Sequence, residues 1–369
     1  MISLNRPYDV LKIGPGKPHV WENRNMEITY SSREGLRRIY KQLYRERGSL
    51  RVAISPLTCF IAIYPIVANG HVPVFIDIDP ETLNMSEEVL MAHNDIQAVQ
   101  TIYIGGNPMR MEMVMAWAKK HRVVVIEDCA QALGAKWKGQ EVGTFGDYAV
   151  ASAVKNLYAV AGGVLVGELK DKNEELRVKN WVMAYKRVKM WLEKKADAQK
   201  WNIWNAVYKG LLRLKDARDD SYTNNVHRVP SNLEHEICDA LGHIEEIQVL
   251  RNRNAKRLIA QIDKTKYTVQ QVPEGGESIR NRVIVVAKHR EAREVIAALR
   301  TKGIAANNLT QSYTHPYQEH VQEDKMIGTH YTEQLENYER ILPYVVCVPC
   351  SPGLSKNEID YIAIELNRL

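Results

Sequence analysis

The chain has 369 residues and a mass of 42.2 kDa, a length that favours two domains. Apolar residues make up 45% and charged residues 25%, which excludes a collagenous, low-complexity or wholly disordered chain. No uninterrupted apolar run is long enough to span a membrane, and the N-terminus lacks the apolar stretch of a secretory signal. An odd number of scattered cysteines argues for a reducing compartment, so a cytoplasmic protein is expected.

The net charge of +6 comes from one segment. Residues 170–218 contain fourteen Lys or Arg and six Asp or Glu, a difference of +8. The rest of the chain is therefore slightly acidic. This distribution argues against a uniformly basic surface, and no nucleic-acid partner is expected.

Residues 27–165 alternate short β-branched runs with amphipathic stretches. Several of the runs are apolar along almost their whole length, which is typical of strands buried on both faces. The pattern predicts an α/β fold with a mostly parallel sheet covered by helices. The expected strands are 52–58, 72–79, 96–104, 123–129, 147–154 and 163–169, and the expected helices are 35–47, 86–93 and 110–121.

The basic segment 170–222 is rich in tryptophan and lacks strand patterns. Its aromatic and apolar residues fall at helical spacing, which predicts one or two amphipathic helices. Three interpretations stay open for this segment. It is a helical insertion that packs on the large domain or across a dimer, a helix that docks on an anionic membrane surface or a partner, or a contact for an anionic substrate.

A long helix is predicted over 232–262, followed by a smaller α/β unit. The expected domains are 1–230, which includes the insertion at about 170–222, and 231–369. The strands predicted for the smaller unit are 268–272, 282–288 and 345–349, and its helices are 290–302 and 356–368.

Candidate chemistry concentrates at the ends of two predicted strands. Glu127 and Asp128 end one apolar strand, and Lys155 follows another. In open parallel sheets the carboxyl ends of the strands form the ligand-binding edge. Taken alone, a Glu-Asp pair at a strand end is more often a helix cap or an ion pair. The carboxylate and the lysine together point to a cofactor site.

A lysine and an aspartate at one sheet edge suit pyridoxal phosphate. That cofactor takes a lysine at its aldehyde and a carboxylate at its pyridinium nitrogen. It also takes a phosphate cradle, for which a helix N-terminus is well suited. Residues 31–35 open the first predicted helix and are the candidate cradle, and Ser152 adds a hydroxyl near the lysine.

Residues 127–163 resemble the central motif of the DegT/StrS-type sugar-nucleotide aminotransferases. The shared residues are Glu127, Asp128, Ala130, Gln131, Gly134, Ala135, Gly139, Gly143, Gly146, Asp147, Ser152, Lys155, Asn156, Leu157, Gly162 and Gly163. The similarity extends upstream to 70–85 and 106–108 and downstream to 346–360. It is weakest over 170–230.

The resemblance implies the fold type I architecture of aspartate aminotransferase, with a large domain and a smaller C-terminal domain. It also implies a homodimer with active sites at the subunit interface. The implied activity is pyridoxal phosphate-dependent transfer of an amino group from glutamate to a nucleotide-linked keto sugar, for glycan or polysaccharide precursors. Lys155 would be the Schiff-base lysine, Asp128 would pair with the pyridinium nitrogen, and Gln131 would contact the ring's hydroxyl side.

The remaining implied contacts surround the phosphate, the ring face and the substrate. Those to the phosphate come from Ser32, Arg33, Glu34, Ser152 and, from the neighbouring subunit, Asn225. The ring lies against Cys59 or Phe60. The residues expected near the substrate are Tyr185, His315 and Tyr317.

The sequence departs from the family's pattern at several of these positions. Ser152 and Lys155 are three residues apart, where the family has five. The family's Ser-Gly-Thr phosphate motif is replaced by the sequence at 31–33, and Tyr103 replaces a histidine. Two alternative functions therefore stay open: a pyridoxal phosphate-dependent sugar dehydratase, which retention of Lys155 disfavours, and a degenerate binding or regulatory protein.

Cys347 and Cys350 form a lone Cys-x-x-Cys pair with no second pair and no nearby histidine pair. We therefore expect no metal site.

Overall fold

The structure, a computed structural model, describes residues 2, 21, 24–170, 175–177, 187, 226–309 and 335–369.

A seven-stranded sheet forms the centre of the N-terminal part. Its strand order is β1-β9-β8-β5-β4-β2-β3, and all neighbouring pairs are parallel except those that β9 makes with β1 and β8. The expectation of a mostly parallel sheet is therefore confirmed. The strands are β1 (Met26–Thr29), β2 (Arg51–Ile54), β3 (Val72–Phe75), β4 (Ala98–Ile102), β5 (Val124–Asp128), β6 (Lys136–Trp137), β7 (Gln140–Glu141), β8 (Tyr148–Ser152) and β9 (Gly163–Val166), with β6 and β7 outside this sheet.

Helices cover both faces of this sheet. The Ser31 side chain caps the first helix, and Gly48 ends it with a positive φ of 73°. On one face of the sheet, α1 and α2 pack against strand residues such as Ile54 and Ile126. On the opposite face, α4 packs through Val114 and its neighbours. The helices are α1 (Ser32–Arg47), α2 (Phe60–Ala68), α3 (Glu87–Ala92), α4 (Met111–His121) and α5 (Ala153–Asn156).

The sequence prediction missed β1 and α2. The expected strand 52–58 ends at Ile54, and the apolar run after it forms α2 with Pro65 inside the helix. Such a run is apolar on all sides, so its periodicity does not distinguish a buried strand from a buried helix. Asn69 donates to the carbonyl of Pro65 and so supports the end of α2.

The predicted long helix over 232–262 is two helices, α6 (Ser231–Leu241) and α7 (Ile244–Gln261), separated at Gly242 and His243. After them an antiparallel sheet has the order β12-β14-β15. The predicted boundary between 230 and 231 stays a prediction. The remaining elements are β10 (Glu175–Arg177), β11 (Val226–Arg228), β12 (Tyr267–Val269), β13 (Gly276–Glu277), β14 (Val283–Ala287), β15 (Val345–Val348), α8 (Ala292–Thr301), α9 (Glu336–Ile341) and α10 (Lys356–Asn367).

Most of the tryptophan-rich segment lies outside the described residues. Its described part includes β10, which pairs in parallel with β11, where the sequence predicted no strand. Across the described ranges, no helix has both the length and the apolar character needed to cross a membrane.

Candidate active site

The two central candidates lie at the same edge of the large sheet. Asp128 ends β5, and Lys155 lies three residues after the end of the neighbouring parallel strand β8. Burial is the largest influence on the Asp128 carboxyl and raises its pKa, whereas the nearby Lys155 charge acts in the opposite direction. The fold therefore places this lysine close enough for its charge to favour the ionised form of the carboxyl.

Each oxygen of Asp128 has one described hydrogen-bond donor. The amide of Ala130 donates to Oδ1 at 3.0 Å, and Nε2 of Gln100 donates to Oδ2 at 3.1 Å. A carboxylate oxygen has more than one lone pair, so this arrangement leaves acceptor capacity for a protonated ring nitrogen. The side chain is only 5% exposed, which strengthens any such contact by excluding water.

The adjacent Glu127 has a different role. Its Oε2 accepts from the hydroxyl of Tyr103 at 2.5 Å and from the amide of Gly143 at 2.6 Å. Its Oε1 accepts from the amides of Phe145 and Gly146 at 2.7 and 2.6 Å. Burial raises the pKa of Glu127, and these four donors counteract that shift. Glu127 therefore fixes the loop that leads into β8, and Tyr103 belongs to this structural network.

The close spacing of Ser152 and Lys155 has a local explanation. Ser152 is the N-cap of α5, and its hydroxyl accepts from the amide of Lys155 at 3.4 Å. A spacing of three residues is the one that this capping contact requires. Asn156 donates to the carbonyls of Ser152 and Ala130 at 2.8 and 3.1 Å. The shortened turn is therefore a regular capped turn. Because the Ser152 hydroxyl accepts here, its own hydrogen can still donate to an anion.

Two residues that the sequence analysis did not identify hold the backbone around Lys155. Asn281 donates to the carbonyl of Lys155 at 3.3 Å. The fully buried Arg251 donates through Nη2 to the carbonyl of Asn156 at 3.4 Å and to the hydroxyl of Tyr158 at 2.9 Å. Arg251 lies 95 residues after Asn156 and Asn281 lies 126 residues after Lys155, so nothing local in the sequence identifies them.

The N-terminus of α1 is the candidate phosphate cradle. Ser32 and Arg33 are its first residues, and the amide of Glu34 already donates to the capping hydroxyl of Ser31 at 3.2 Å. Glu34 therefore contributes its amide to the cap. A Cβ on Gly163 would lie 2.3 Å from the backbone nitrogen of Ser32, so only glycine lets β9 approach this helix end.

The remaining described candidates flank the central pair. Oε1 of the half-buried Gln131 accepts from the amide of Gly105 at 3.2 Å, and its amide nitrogen is oriented by this bond. Half-buried Cys59 is the N-cap residue of α2 without a side-chain capping bond, and Phe60 is the first residue of that helix. Both positions follow the end of β2, at the same edge of the sheet as Asp128.

Four candidates lie outside the described residues and stay predictions. They are Tyr185, Asn225, His315 and Tyr317. Among the side chains that are described, no three His, Cys, Asp or Glu residues gather closely enough to hold a metal ion.

Residues 46–203 and 236–367 match the profile of the DegT/DnrJ/EryC1/StrS aminotransferase family. The chain belongs to this family. The match covers most of the sequence and includes both Asp128 and Lys155.

Two relatives carry names that refer to nucleotide-linked amino sugars. GDP-perosamine synthase of Escherichia coli O157:H7 is 36% identical over 119 residues, which is 31% of this chain and 33% of that protein. The chain thus matches about a third of the length of this relative. A dTDP-3-amino-3,6-dideoxy-alpha-D-galactopyranose transaminase of Aneurinibacillus thermoaerophilus is 25% identical over 323 residues, which is 85% of this chain and 78% of that protein.

Solved structures confirm the fold. The Helicobacter pylori aminotransferase PseC, described as involved in the biosynthesis of pseudoaminic acid, superposes with a TM-score of 0.71 at 16% identity, covering 100% of this chain and 98% of that one. An E. coli GDP-4-keto-6-deoxy-D-mannose-3-dehydratase gives 0.68 at 18% identity, covering 92% and 87%. At these identities the likeness establishes the shared fold type I architecture.

Proposed function

We propose that this protein is a pyridoxal phosphate-dependent aminotransferase that moves an amino group from glutamate to a nucleotide-linked keto sugar. The observation that carries the proposal is the position of Asp128 and Lys155 after neighbouring parallel strands at one sheet edge, where the lysine charge acts on the buried carboxyl. In the overall reaction, glutamate becomes its 2-oxo acid. The keto carbon of the sugar loses its oxygen and gains the amino group and a hydrogen.

The residues at this edge fit pyridoxal phosphate. When bound, that cofactor supplies an electron sink for the carbon that carries the amino group. Asp128, with acceptor capacity left on its oxygens, would hold the ring nitrogen protonated. Lys155 would hold the cofactor through its amine and carry the proton between the two halves of the reaction.

The phosphate would lie at the N-terminus of α1, where Ser32 and Arg33 begin the helix. Helix N-termini favour anions because their amides and dipole point towards the ligand. The Ser152 hydroxyl is the second proposed contact. Asn225 of a partner subunit would complete the cradle in a homodimer. Gln131 would contact the hydroxyl side of the ring, and Cys59 or Phe60 would lie against its face.

The substrate contacts proposed for Tyr185, His315 and Tyr317 come from the family resemblance. We also propose a cytoplasmic location and a precursor role in glycan or polysaccharide synthesis, both on the same basis. For the tryptophan-rich segment 170–222, packing on the large domain or across the dimer is the proposal, with docking on a membrane or a partner as its alternative.

The dehydratase alternative is weaker because Lys155 is retained. The degenerate binding-protein alternative depended on the altered spacing before the lysine and on the glycine missing from the phosphate motif at 31–33. That spacing is accounted for by the Ser152 cap on α5, so it gives no reason to expect a broken site.

The test uses L-glutamate labelled with ¹⁵N and a panel of nucleoside diphosphate keto sugars with purified protein and cofactor. The proposal predicts the label in an aminated nucleotide sugar, identified by mass spectrometry, and no label with Lys155→Ala. A protein that transfers the label only to 2-oxo acids would overturn the sugar acceptor but not the aminotransferase activity. A protein that releases no 2-oxo acid from glutamate would overturn both.

A further inference from the structure

A buried chain of two side chains lies behind Asp128. Gln100 on β4 donates through Nε2 to Oδ2 of Asp128 at 3.1 Å. The hydroxyl of Tyr40 on α1 donates to Oε1 of the same glutamine at 2.7 Å. Gln100 and Tyr40 are both 0% exposed. These two hydrogen bonds therefore connect helix α1 to the carboxylate through two side chains that have no contact with solvent.

The strand register explains why these groups meet. Gln100 pairs with Ile126 on β5, two residues before Asp128, so both polar side chains project from the same face of the sheet. Helix α1 covers that face with Tyr40. The same helix begins at the candidate phosphate cradle, so one element supports both ends of the proposed cofactor site.

The surroundings of Gln100 are otherwise apolar. Gln100 lies on β4, and its partners on the two adjacent strands are Ile54 of β2 and Ile126 of β5. A buried amide in such a layer is costly unless both of its ends are hydrogen-bonded. A leucine or valine would pack in this layer without that cost. The presence of glutamine therefore indicates a requirement that packing alone does not explain.

Tyr40 determines which end of the amide faces Asp128. Burial and the nearby Asp128 charge raise the pKa of Tyr40 well above its ordinary value, so its hydroxyl keeps its proton. By donating to Oε1, it leaves the NH₂ group of Gln100 for the carboxylate. The reverse orientation would place the amide oxygen against a negative charge.

We propose that Gln100 and Tyr40 are positioning residues that keep the Asp128 carboxylate charged and directed towards the ring nitrogen of the cofactor. This inference rests on the role proposed above for Asp128. The donor from Gln100 stabilises the charged form of a carboxylate that burial disfavours. It also occupies one side of the carboxylate and so limits its rotation. Neither residue touches the cofactor, and Tyr40 acts only through Gln100.

The experiment compares the affinity of the cofactor-free protein for pyridoxal phosphate with its affinity for an analogue in which C–H replaces the ring nitrogen. The ratio of the two dissociation constants measures the contact between Asp128 and that nitrogen, because all other contacts are shared. The variants are Gln100→Leu, Tyr40→Phe and the double variant, and Tyr44→Phe on the exposed part of α1 is the matched control. Thermal unfolding shows that each variant folds. The double variant replaces both bonded partners with apolar groups and so preserves packing if a single variant does not.

The wild type should prefer pyridoxal phosphate. A hydrogen bond to a charged group is worth about 1.5–3 kcal/mol, so Gln100→Leu should lower the preference at least roughly 10-fold. Tyr40→Phe should lower this preference less than Gln100→Leu does, and it should cause no further loss in the Gln100→Leu background. Tyr44→Phe should leave the preference unchanged. A merely structural role would weaken binding of both ligands equally, and an unchanged ratio in folded Gln100→Leu or double-variant protein would overturn the inference. A wild type without any preference would overturn the role of Asp128 itself, and the inference with it.

Discussion

The adjacent carboxylates Glu127 and Asp128 should respond in opposite ways to the same chemical change. In Glu127→Gln, the new NH₂ group faces at least one backbone N–H whichever way the amide turns, because both oxygens accept from backbone amides. An orphaned buried N–H costs about 1–3 kcal/mol, and the weakened charge-assisted bonds add to it, so a loss of about 3 kcal/mol is expected in the free energy of unfolding.

Asp128→Asn should cost little or even stabilise the cofactor-free protein. Burial raises the pKa of both carboxyls, but Asp128 accepts from only one described backbone amide, that of Ala130, and an asparagine oxygen can keep this bond. The amide network behind it can also reverse direction, because the hydroxyl of Tyr40 is able to accept as well as donate. The affinity for pyridoxal phosphate should nevertheless fall at least roughly 10-fold, since the charged partner of the ring nitrogen is lost.

Urea unfolding of the cofactor-free variants measures the first effect, and titration with pyridoxal phosphate measures the second. Glu88→Gln is the matched control, because it alters an exposed carboxylate that pairs with Arg110 and should leave stability almost unchanged. The reasoning is refuted if Asp128→Asn destabilises the protein as much as Glu127→Gln does. It is equally refuted if Asp128→Asn binds the cofactor as tightly as the wild type.

Three further predictions follow from the geometry. Gly163→Ala places a Cβ against the start of α1 and should weaken binding of pyridoxal phosphate more than binding of pyridoxal. Gly139→Ala, whose Cβ meets open space, is the control and should affect the two ligands equally. If Gly163→Ala also weakened both ligands equally, the phosphate cradle would be contradicted. Because the pKa of Asp128 is raised, cofactor affinity should fall on acidification at a pH above that expected for an exposed aspartate, and calorimetric titrations should show that Asp128→Asn removes this step. Burial raises the pKa of Cys347 and Cys350 to about 11, so peptide mapping should find both thiols unmodified by iodoacetamide at pH 8, and rapid modification would contradict their burial.

The large sheet could be predicted because its strands are apolar along almost their whole length. Strand β1 could not, since its four residues alternate apolar and polar side chains and only Thr29 is buried. Helix α2 was hidden because its residues are apolar on every side. The predicted helix over 232–262 is interrupted at Gly242. The helical spacing continues on both sides of this glycine, so the spacing alone does not reveal the interruption.

The candidate site was predictable where its residues lie close together along the chain. Asp128 ends one strand and Lys155 follows the next strand of the sheet, and parallel strands bring such positions to the same edge. Arg251 and Asn281 support the lysine turn from distant segments, and only the folded chain brings them there. Gln100 left one signal, an amide side chain within a short, mostly apolar strand. That Gln100 faces Asp128 could be seen only from the register between β4 and β5.

The most direct test of the central claim is the absorbance spectrum of the purified protein with pyridoxal phosphate, before and after L-glutamate, for wild type and Lys155→Ala. The account predicts that the wild type shows the visible band of a lysine-bound cofactor, that glutamate bleaches this band with release of a stoichiometric amount of 2-oxoglutarate, and that Lys155→Ala shows no such band. A wild type that folds but shows no band, or a band that survives in Lys155→Ala, would contradict it.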